Sequence, residues 1–244
     1  MSRRAPGRSA LMLFFVWTIV PVLIRMLFRL LYRVRLIGSE RVPKTGPVIY
    51  ASNHQSNFDP VLVGLLICDR PFATFARASL FRFLPFALLI RLVGAMPLER
   101  GRGDSAAFRL ALGELNAGRC MMMFPEGTRT RDGALGEFKP GVTLLQKRTK
   151  AAILPLAIEG AHDIWPHGQS RPRLTGRIAV MAGEPITYEQ FQREGAEAVL
   201  RKLKREIEGM RMMLREDLRR RSGGNYPAPS RGERPFWEME TAGR

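Results

Sequence analysis

Cysteine and histidine are both scarce in this chain of 244 residues, which has two cysteines and three histidines. Cys68 and Cys120 are too few for a disulfide framework or a four-cysteine zinc site, so a reducing, cytosolic environment is expected. The segment HDIWPH at 162–167 holds two of the histidines and one aspartate. A pair of ordinary loop histidines is the preferred interpretation of this segment, and no metal site is predicted.

Acidic residues are also few, since 22 Asp and Glu stand against 39 Lys and Arg and give a formal net charge of +17. An excess of this sign favours an anionic partner, namely nucleic acid, an anionic membrane leaflet or a phosphorylated substrate. The basic stretch 201–221 would suit nucleic acid, but the sequence has no recognisable nucleic-acid-binding module. A solvated helix face is the preferred interpretation of that stretch, and a basic nucleic-acid-binding protein is the alternative from another class.

Two well-known catalytic motifs are absent from the sequence. The Walker pattern GxxxxGK[ST] does not occur, which excludes a P-loop nucleotide site. The pattern GxSxG does not occur either, which argues against a serine esterase of the α/β-hydrolase kind.

The sequence has no uncharged apolar run as long as the roughly 20 residues that a perpendicular membrane span needs. The candidate run LMLFFVWTIVPVLI at 11–24 is shorter and is interrupted by Pro21. Basic residues flank it on both sides, and those that follow recur at a helical spacing: Arg25, Arg29 and Arg33. This pattern predicts a helical anchor over residues 1–36 that is seated in one leaflet. A transmembrane span and a buried core helix are the alternatives.

From about residue 35 onward, short apolar runs alternate with amphipathic stretches, which is typical of an α/β domain and predicts one such domain over 37–221. Helices are expected over 58–67, 104–118, 141–150 and, with one apolar stripe, 188–221. The tail 222–244 is rich in Gly, Pro and Arg and is predicted to be disordered. The candidate strands are 34–38, 47–52, 72–76, 95–99, 120–125, 152–160 and 177–183.

The stretch NHQSNFD at 53–59 follows one predicted strand and places His54 five residues before Asp59. On a continuous helix this spacing puts two side chains about 140° apart, so they meet only if the chain bends between them. Asp59 and Pro60 have the residue types of an N-cap and a first helical position, which leaves HQSN as the bend. The pair could then form a dyad in which the carboxylate orients the imidazole as a general base. The alternative is a loop histidine beside a capping aspartate.

The stretch FPEGTRTRDGALGEFKPG at 124–141 follows another predicted strand. The backbone N–H of Gly127, the hydroxyl of Thr128 and the guanidinium groups of Arg129 and Arg131 are donors of the kind that hold a phosphate. Glu126 is expected to keep one of these arginines in place. A polar turn is the alternative, and it explains RDG better than it explains FPEGTR.

These two stretches resemble the motifs of one known family. NHQSNFD resembles the H-x4-D motif, and FPEGTRTRDG the F-P-E-G-T-R motif, of the glycerolipid acyltransferases, which include the lysophosphatidic acid acyltransferases. Two further blocks agree in their order, FARASLFRFLPFALLIRLVGAMPLER at 75–100 and AILPLAIEG at 152–160. The resemblance covers residues 35–185 and implies an α/β fold with a mixed central sheet flanked by helices, similar to glycerol-3-phosphate acyltransferase.

The resemblance implies an O-acyltransferase of phospholipid biosynthesis that needs no cofactor. A fatty acyl group would pass from acyl carrier protein or coenzyme A to the free hydroxyl of 1-acyl-glycerol-3-phosphate, giving phosphatidic acid. His54, oriented by Asp59, would be the general base. The residues implied in substrate binding are Glu126, Gly127, Thr128, Arg129, Arg100 and Arg77. In this set Arg77 would stabilise the oxyanion and the others would bind or orient the acceptor phosphate.

The second block departs from the family pattern, because Arg77 and Ser79 stand where the family has Lys-x-Glu and the usual glycine after Pro85 is missing. These positions are associated in the family with acceptor and acyl-chain binding, so another lysolipid acceptor, such as lyso-ornithine lipid, is an alternative. An acceptor that lies in a leaflet and a donor that arrives from the cytosol imply an enzyme at the inner (cytoplasmic) membrane. It would be monotopic or single-span, with its active site on the cytosolic side.

Overall fold

A seven-stranded mixed sheet forms the centre of the protein. The computed structural model describes residues 20–67, 70, 72–77, 87, 95–98 and 103–238. Along the sheet the strands follow the order β1-β7-β6-β2-β5-β3-β4. Their bounds are β1 Arg35–Ile37, β2 Val48–Ser52, β3 Phe72–Arg77, β4 Ala95–Leu98, β5 Cys120–Met123, β6 Ala152–Glu159 and β7 Ala179–Ala182.

Five adjacent strands of this sheet, from β6 to β4, run parallel to one another. β7 pairs antiparallel with β6, and β1 pairs parallel with β7. The central strand β2 aligns Tyr50 with Met122 of β5 on one side and with Leu154 of β6 on the other. The predicted mixed α/β sheet flanked by helices is confirmed.

The helices described in the structure lie along the two faces of the sheet. Their bounds are α1 Val20–Tyr32, α2 Asp59–Ile67, α3 Gly103–Asn116, α4 Gly141–Thr149, α5 Ala161–Ile164, α6 Tyr188–Glu194 and α7 Ala196–Ser222, with short 3-10 helices at Ser39–Arg41 and Arg231–Glu233. All residues of β2 are buried, as expected for a strand that is covered on both faces. Side chains alternate along it, so that Tyr50 joins one apolar cluster with Leu62, and Ile49 joins the other with Met121.

Each of the seven predicted strands corresponds to an observed strand, although most are shorter than predicted. The predicted helix over 188–221 is two helices, α6 and α7, which are separated at Gly195. Gly195 has a φ of 83°, a conformation that favours glycine and that breaks the helical backbone. Thr187 and Gln190 form a capping box that starts α6.

The N-terminal part of the chain departs from the predicted boundary between residues 36 and 37, because that boundary falls inside β1. Helix α1 packs on the domain through two buried aromatic residues, Phe28 and Tyr32, which contact Phe58. Residues 1–19 of the predicted anchor lie outside the described part of the chain. Among the residues that are described, no helix combines the length and the apolar character needed to cross a membrane.

The C-terminal segment also departs from the prediction, because residues 222–238 of the predicted disordered tail have defined contacts. The Tyr226 hydroxyl donates to the carbonyl of Gly160 at 2.7 Å. The Arg215 guanidinium of α7 donates to the carbonyl of Ala228 at 2.9 Å. The composition of the tail predicted disorder, but these long-range partners on the domain hold residues 222–238 in place.

Candidate active site

Three neighbouring parallel strands, β6, β2 and β5, end at the same edge of the sheet. The segment that begins with Asn53 follows β2, and the segment that begins with Phe124 follows β5. Asn53 joins two of the strand ends, since its amide donates to the carbonyl of Ile158 at 2.9 Å and accepts from the Ile158 N–H at 2.8 Å. The carboxyl edge of an α/β sheet is where binding sites usually form, and both predicted site motifs lie there.

His54 and Asp59 form a hydrogen-bonded pair. His54 Nδ1 lies 2.7 Å from Asp59 Oδ2, and the Asp59 side chain is fully buried. The same oxygen accepts the backbone N–H groups of Gln55 at 2.6 Å and Ser56 at 2.7 Å. Three hydrogen bonds therefore converge on one carboxylate oxygen, and together they fix the bend between the two side chains.

Asp59 is the first residue of α2 and does not have the predicted N-cap geometry. The first helical bond runs from the N–H of Leu62 to the carbonyl of Phe58, so Phe58 takes the cap position. The N–H groups that Asp59 accepts belong to residues before the helix. Asp59 Oδ1 is buried and has no hydrogen-bond partner in the described part of the chain. The Asp59 carboxylate therefore hydrogen-bonds to residues 54–56, here called the His54 loop, and does not cap α2.

The orientation of the His54 ring is fixed from two sides. Its face stacks on the ring of Phe124, with 3.7 Å between centroids and an interplanar angle of 7°. Because Nδ1 faces Asp59, Nε2 is the nitrogen that an incoming hydroxyl can reach. The His54 side chain is 19% exposed, so the ring is not completely enclosed by the protein. The arrangement can accept a proton at Nε2 and stabilise the resulting imidazolium through Asp59.

Glu126 connects the two predicted motifs through its carboxylate, a contact that the sequence did not predict. Oε1 accepts the backbone N–H of His54, and Oε2 accepts the backbone N–H of Gly136, each at 2.8 Å. Burial raises the pKa of Glu126 from 4.5 to about 7, while the two backbone hydrogen bonds oppose that rise. The Thr130 N–H also donates to the His54 carbonyl at 2.8 Å. The loop after β5 is thereby fastened to the loop after β2.

A cleft of about 570 Å³ lies over the loop after β5. Its lining residues all come from 126–139 and include the cations Arg129, Arg131 and Lys139 together with Thr128. Gly127 has a φ of 73°, and a Cβ atom there would lie 3.1 Å from the Lys139 ammonium. A side chain at Gly127 would therefore be both strained and crowded. His54 does not line this cleft and is connected to it through Glu126 and Thr130.

The remaining two predicted site residues are less fully described. Arg77 is the last residue of β3, the neighbour of β5 in the sheet, and its side chain is outside the described part of the structure. Arg100 also lies outside the described residues. Their roles stay predictions.

A buried charge network that was not predicted from the sequence lies behind the His54 loop. Glu159, at the end of β6, accepts from Gln55 Nε2 at 3.0 Å, from Arg211 Nη1 at 3.4 Å and from Arg215 Nη1 at 2.5 Å. Arg211 also forms a two-pronged pair with Glu208, at 2.7 and 3.0 Å. The prediction that this basic stretch is a solvated face is wrong for both arginines. Their spacing of four residues after Ile207, itself on the apolar stripe, was the available signal.

No metal is predicted for this site, and the predicted absence of a cofactor stays a prediction. Within the described ranges, no group of three or more His, Cys, Asp and Glu residues is arranged to hold a metal ion. His162 of the HDIWPH segment donates its backbone N–H to Gln55 Oε1 at 3.4 Å. The segment therefore packs behind the His54 loop.

The fold and the paired His54 and Asp59 beside a cation-lined cleft are those expected of an α/β transferase that uses a histidine base. Residues 33–159, more than half of the chain, match the family model described as Acyltransferase, and the chain belongs to that family.

Several relatives carry a more particular name. The chloroplastic 1-acyl-sn-glycerol-3-phosphate acyltransferase of Arabidopsis thaliana is 30% identical over 158 residues, which cover 64% of this chain and 44% of that protein. The 1-acyl-sn-glycerol-3-phosphate acyltransferase of Borreliella burgdorferi is 32% identical over 136 residues, 54% of each chain. The alignments thus span about half the length of these relatives.

A solved structure supports the fold. The crystal structure of the 1-acyl-sn-glycerophosphate acyltransferase PlsC from Thermotoga maritima matches with a TM-score of 0.65 and 24% sequence identity. The match covers 80% of this chain and 76% of the other. At this identity the likeness concerns the fold alone, and it agrees with the sheet and helices described above.

Proposed function

We propose that this protein is a membrane-associated O-acyltransferase of phospholipid biosynthesis. It moves a fatty acyl group from acyl carrier protein or coenzyme A to the free hydroxyl of 1-acyl-glycerol-3-phosphate, and the product is phosphatidic acid. The observation that carries the proposal is the buried Asp59 carboxylate on His54 Nδ1, with a cation-lined cleft fastened to the same loop. The names of the similar proteins support the acceptor.

The proposed reaction needs one base and no acyl-enzyme. His54 Nε2 takes the proton of the acceptor hydroxyl as its oxygen attacks the thioester carbonyl carbon. The tetrahedral intermediate collapses, the carbon–sulfur bond breaks, and the thiolate takes the proton back from the imidazolium. Asp59 stabilises the imidazolium between these two steps and keeps the ring in one tautomer.

The acceptor phosphate binds in the cleft after β5. Arg129 supplies a guanidinium group and Thr128 a hydroxyl, and both line the cleft. Gly127 has no Cβ atom, so its backbone can approach the phosphate closely, and its φ of 73° disfavours any residue with a side chain. Arg100 joins this set as a further phosphate ligand, and Arg77 stabilises the oxyanion.

A second lysolipid is the alternative acceptor within the same reaction. The observation that favours it is the departure of Arg77 and Ser79 from the residues usual in the family. A lyso-aminolipid such as lyso-ornithine lipid would place a different head group against these positions. The base and the thioester chemistry would be unchanged.

The enzyme works at the cytosolic face of the inner membrane, with α1 lying on the lipid surface. One face of α1 packs on the domain through Phe28 and Tyr32. The opposite side exposes a row of large apolar residues to the surroundings: Val22, Leu23, Met26, Leu27 and Leu30. Arg29 and Arg33 are exposed beside this row and could reach lipid phosphates. An apolar row with flanking arginines is the usual composition of an interfacial helix.

Replacement of His54 by alanine tests the reaction. We expect His54→Ala to lower acyl transfer by about 10²–10⁴-fold, the usual contribution of a general base. The assay combines the purified protein with acyl carrier protein or coenzyme A thioesters and a panel of lysolipids, and scores products by mass. His167→Ala is the matched control, because it removes an imidazole outside the two motifs that hold His54, Asp59 and the cleft residues. Near-normal turnover of a folded His54→Ala variant would refute the proposed base.

A further inference from the structure

The C-terminal segment 226–236, here called the strap, touches the loop that lines the cleft. A Cβ atom on Gly232 would lie 2.2 Å from the carbonyl oxygen of Gly133 and 3.0 Å from the N of Ala134. The Arg231 guanidinium lies 3.8 Å from the carboxylate of Asp132. The two backbones are therefore in direct contact, and only glycine fits at the contact point.

The strap is held from behind by arginines of α7. Arg215 Nη2 donates to the carbonyl of Ala228 at 2.9 Å and lies 3.3 Å from Ser230 Oγ. Arg219 forms an ion pair with Glu233. The N–H of Phe236 donates to Glu208 Oε1 at 3.2 Å. Three side chains of α7 thus contact four residues of the strap, Ala228, Ser230, Glu233 and Phe236.

Arg215 also connects the strap to the His54 loop. Arg215 Nη1 contacts Glu159 Oε1 at 2.5 Å, and the Arg215 side chain is only 4% exposed. Glu159 Oε2 accepts the side-chain amide of Gln55, whose backbone N–H is one of the three donors to Asp59. Buried charges are costly unless they are paired, so the loss of Arg215 would leave the Glu159 carboxylate with one fewer cationic partner. One buried network therefore joins the strap, the end of β6 and the His54 loop.

We propose that the strap is a positioning element of the active site, and that Gly232 and Arg215 are its positioning residues. When the strap is docked, it contacts residues 132–134. It thereby keeps the residues that line the cleft at the distance from His54 that the proposed reaction requires. This inference rests on the proposed function for its kinetic consequence. Its structural part, the dependence of the cleft loop on the strap, stands on the contacts alone.

Gly232→Ala is the sharpest test, because it adds one methyl group at the contact with Gly133 and removes no side-chain interaction. Gly209→Ala is the matched control, since a Cβ atom on Gly209 in α7 meets nothing within 4 Å. We expect Gly232→Ala to speed amide hydrogen exchange in both 226–236 and 130–136, and to raise KM for the lysolipid roughly tenfold with a smaller change in kcat. Gly209→Ala should change neither quantity.

Arg215→Lys gives a second and independent variant. Lysine keeps a charge near Glu159 but lacks the fork that reaches both Glu159 and Ala228. We expect the same pattern of exchange and KM as for Gly232→Ala. A merely structural role would lower stability without the selective rise in KM.

Two outcomes would overturn the inference. One is faster exchange in the strap with unchanged exchange in 130–136 and unchanged KM. The other is unchanged exchange in both segments of Gly232→Ala, because the close contact would then be absent. Inorganic phosphate provides a readout that needs no turnover. Phosphate that binds in the cleft should protect the amides of 126–136 from exchange. If the wild type transfers no acyl group, the proposed function fails, while the exchange comparison still decides the inference.

Discussion

Glu126 is the residue that joins the two motifs of the candidate active site. Its two carboxylate oxygens accept backbone N–H groups from opposite loops, so the ionised form satisfies both donors. Burial works against that form and raises the pKa to about 7. Glu126 therefore joins the two loops by hydrogen bonds, and its contribution to the free energy of unfolding depends on pH.

The stability of the folded chain should reflect this raised pKa. Between pH 4.5 and about 7, folded Glu126 keeps its proton while the unfolded chain has released it. The free energy of unfolding should therefore fall as pH rises through this window, by about 3 kcal/mol in total from Glu126. The contribution is fully present below pH 4.5 and is lost above pH 7.

Denaturant unfolding at a series of pH values measures this effect. Glu126→Gln should be less steeply dependent on pH than the wild type, because glutamine does not titrate. Glutamine also places an amide donor against one of the two N–H groups, so this variant should be less stable by about 1–3 kcal/mol above pH 7. Glu40→Gln, at an exposed carboxylate, is the control. Equal pH slopes in the wild type and Glu126→Gln would contradict the prediction.

At the scale of elements, α1 has two apolar sides with different partners. Phe28 and Tyr32 are buried against the domain, whereas Leu30 on another side is 78% exposed. A soluble domain gains nothing from an exposed row of this kind, and a lipid surface would bury it. The helix is therefore both part of the fold and the proposed contact with the membrane.

The double variant Leu23→Gln/Leu30→Gln tests that contact. Burial of one leucine contributes about 1.5–3 kcal/mol, so the loss of two, about 3–6 kcal/mol, should weaken binding to lipid vesicles roughly a hundredfold or more. Met213→Gln is the control, because Met213 is similarly exposed on α7. Vesicle co-sedimentation measures the partition of each variant. Unchanged partition of the double variant would argue that α1 does not contact lipid.

The elements that the sequence predicted well are those determined by local pattern. The strand β2 and the helix α4 follow from short apolar runs, a Pro-Gly turn and periodicity within a few residues. The elements that were missed depend on distant partners. Arg215 is buried because Glu159 lies next to it, and these residues are 56 positions apart. The strap is held in turn by Arg215, a contact that its composition does not reveal. Composition alone therefore predicted disorder.

The contacts of the candidate site divide in the same way into local ones that could be predicted and distant ones that could not. The contact between His54 and Asp59 could be predicted because both lie within seven residues whose spacing requires a bend. The contact of Glu126 with the His54 backbone could not be predicted, because it depends on β2 and β5 lying side by side. The motif indicated that Glu126 mattered, and the sheet order explains what it contacts.

At the scale of the whole molecule, the net charge of +17 should appear as a dependence of membrane binding on salt. Each Lys or Arg close to an anionic leaflet contributes about 1 kcal/mol, and the attraction falls off within a Debye length. The exposed apolar row of α1 contributes a part that salt does not screen. The two contributions can therefore be separated by ionic strength and by lipid charge.

Vesicles of anionic and of zwitterionic phospholipid provide that separation. Raising salt from about 0.05 M to about 0.5 M should weaken binding to anionic vesicles tenfold or more, because the Debye length shortens to a few ångströms. At low salt, binding to zwitterionic vesicles should be weaker than binding to anionic vesicles, and it should be nearly independent of salt. The Leu23→Gln/Leu30→Gln variant should lose most of its binding to zwitterionic vesicles. A duplex DNA competitor should not displace the protein from anionic vesicles at about 0.15 M salt. Displacement by the duplex would favour the nucleic-acid-binding alternative and count against an anionic leaflet as the partner of this charge.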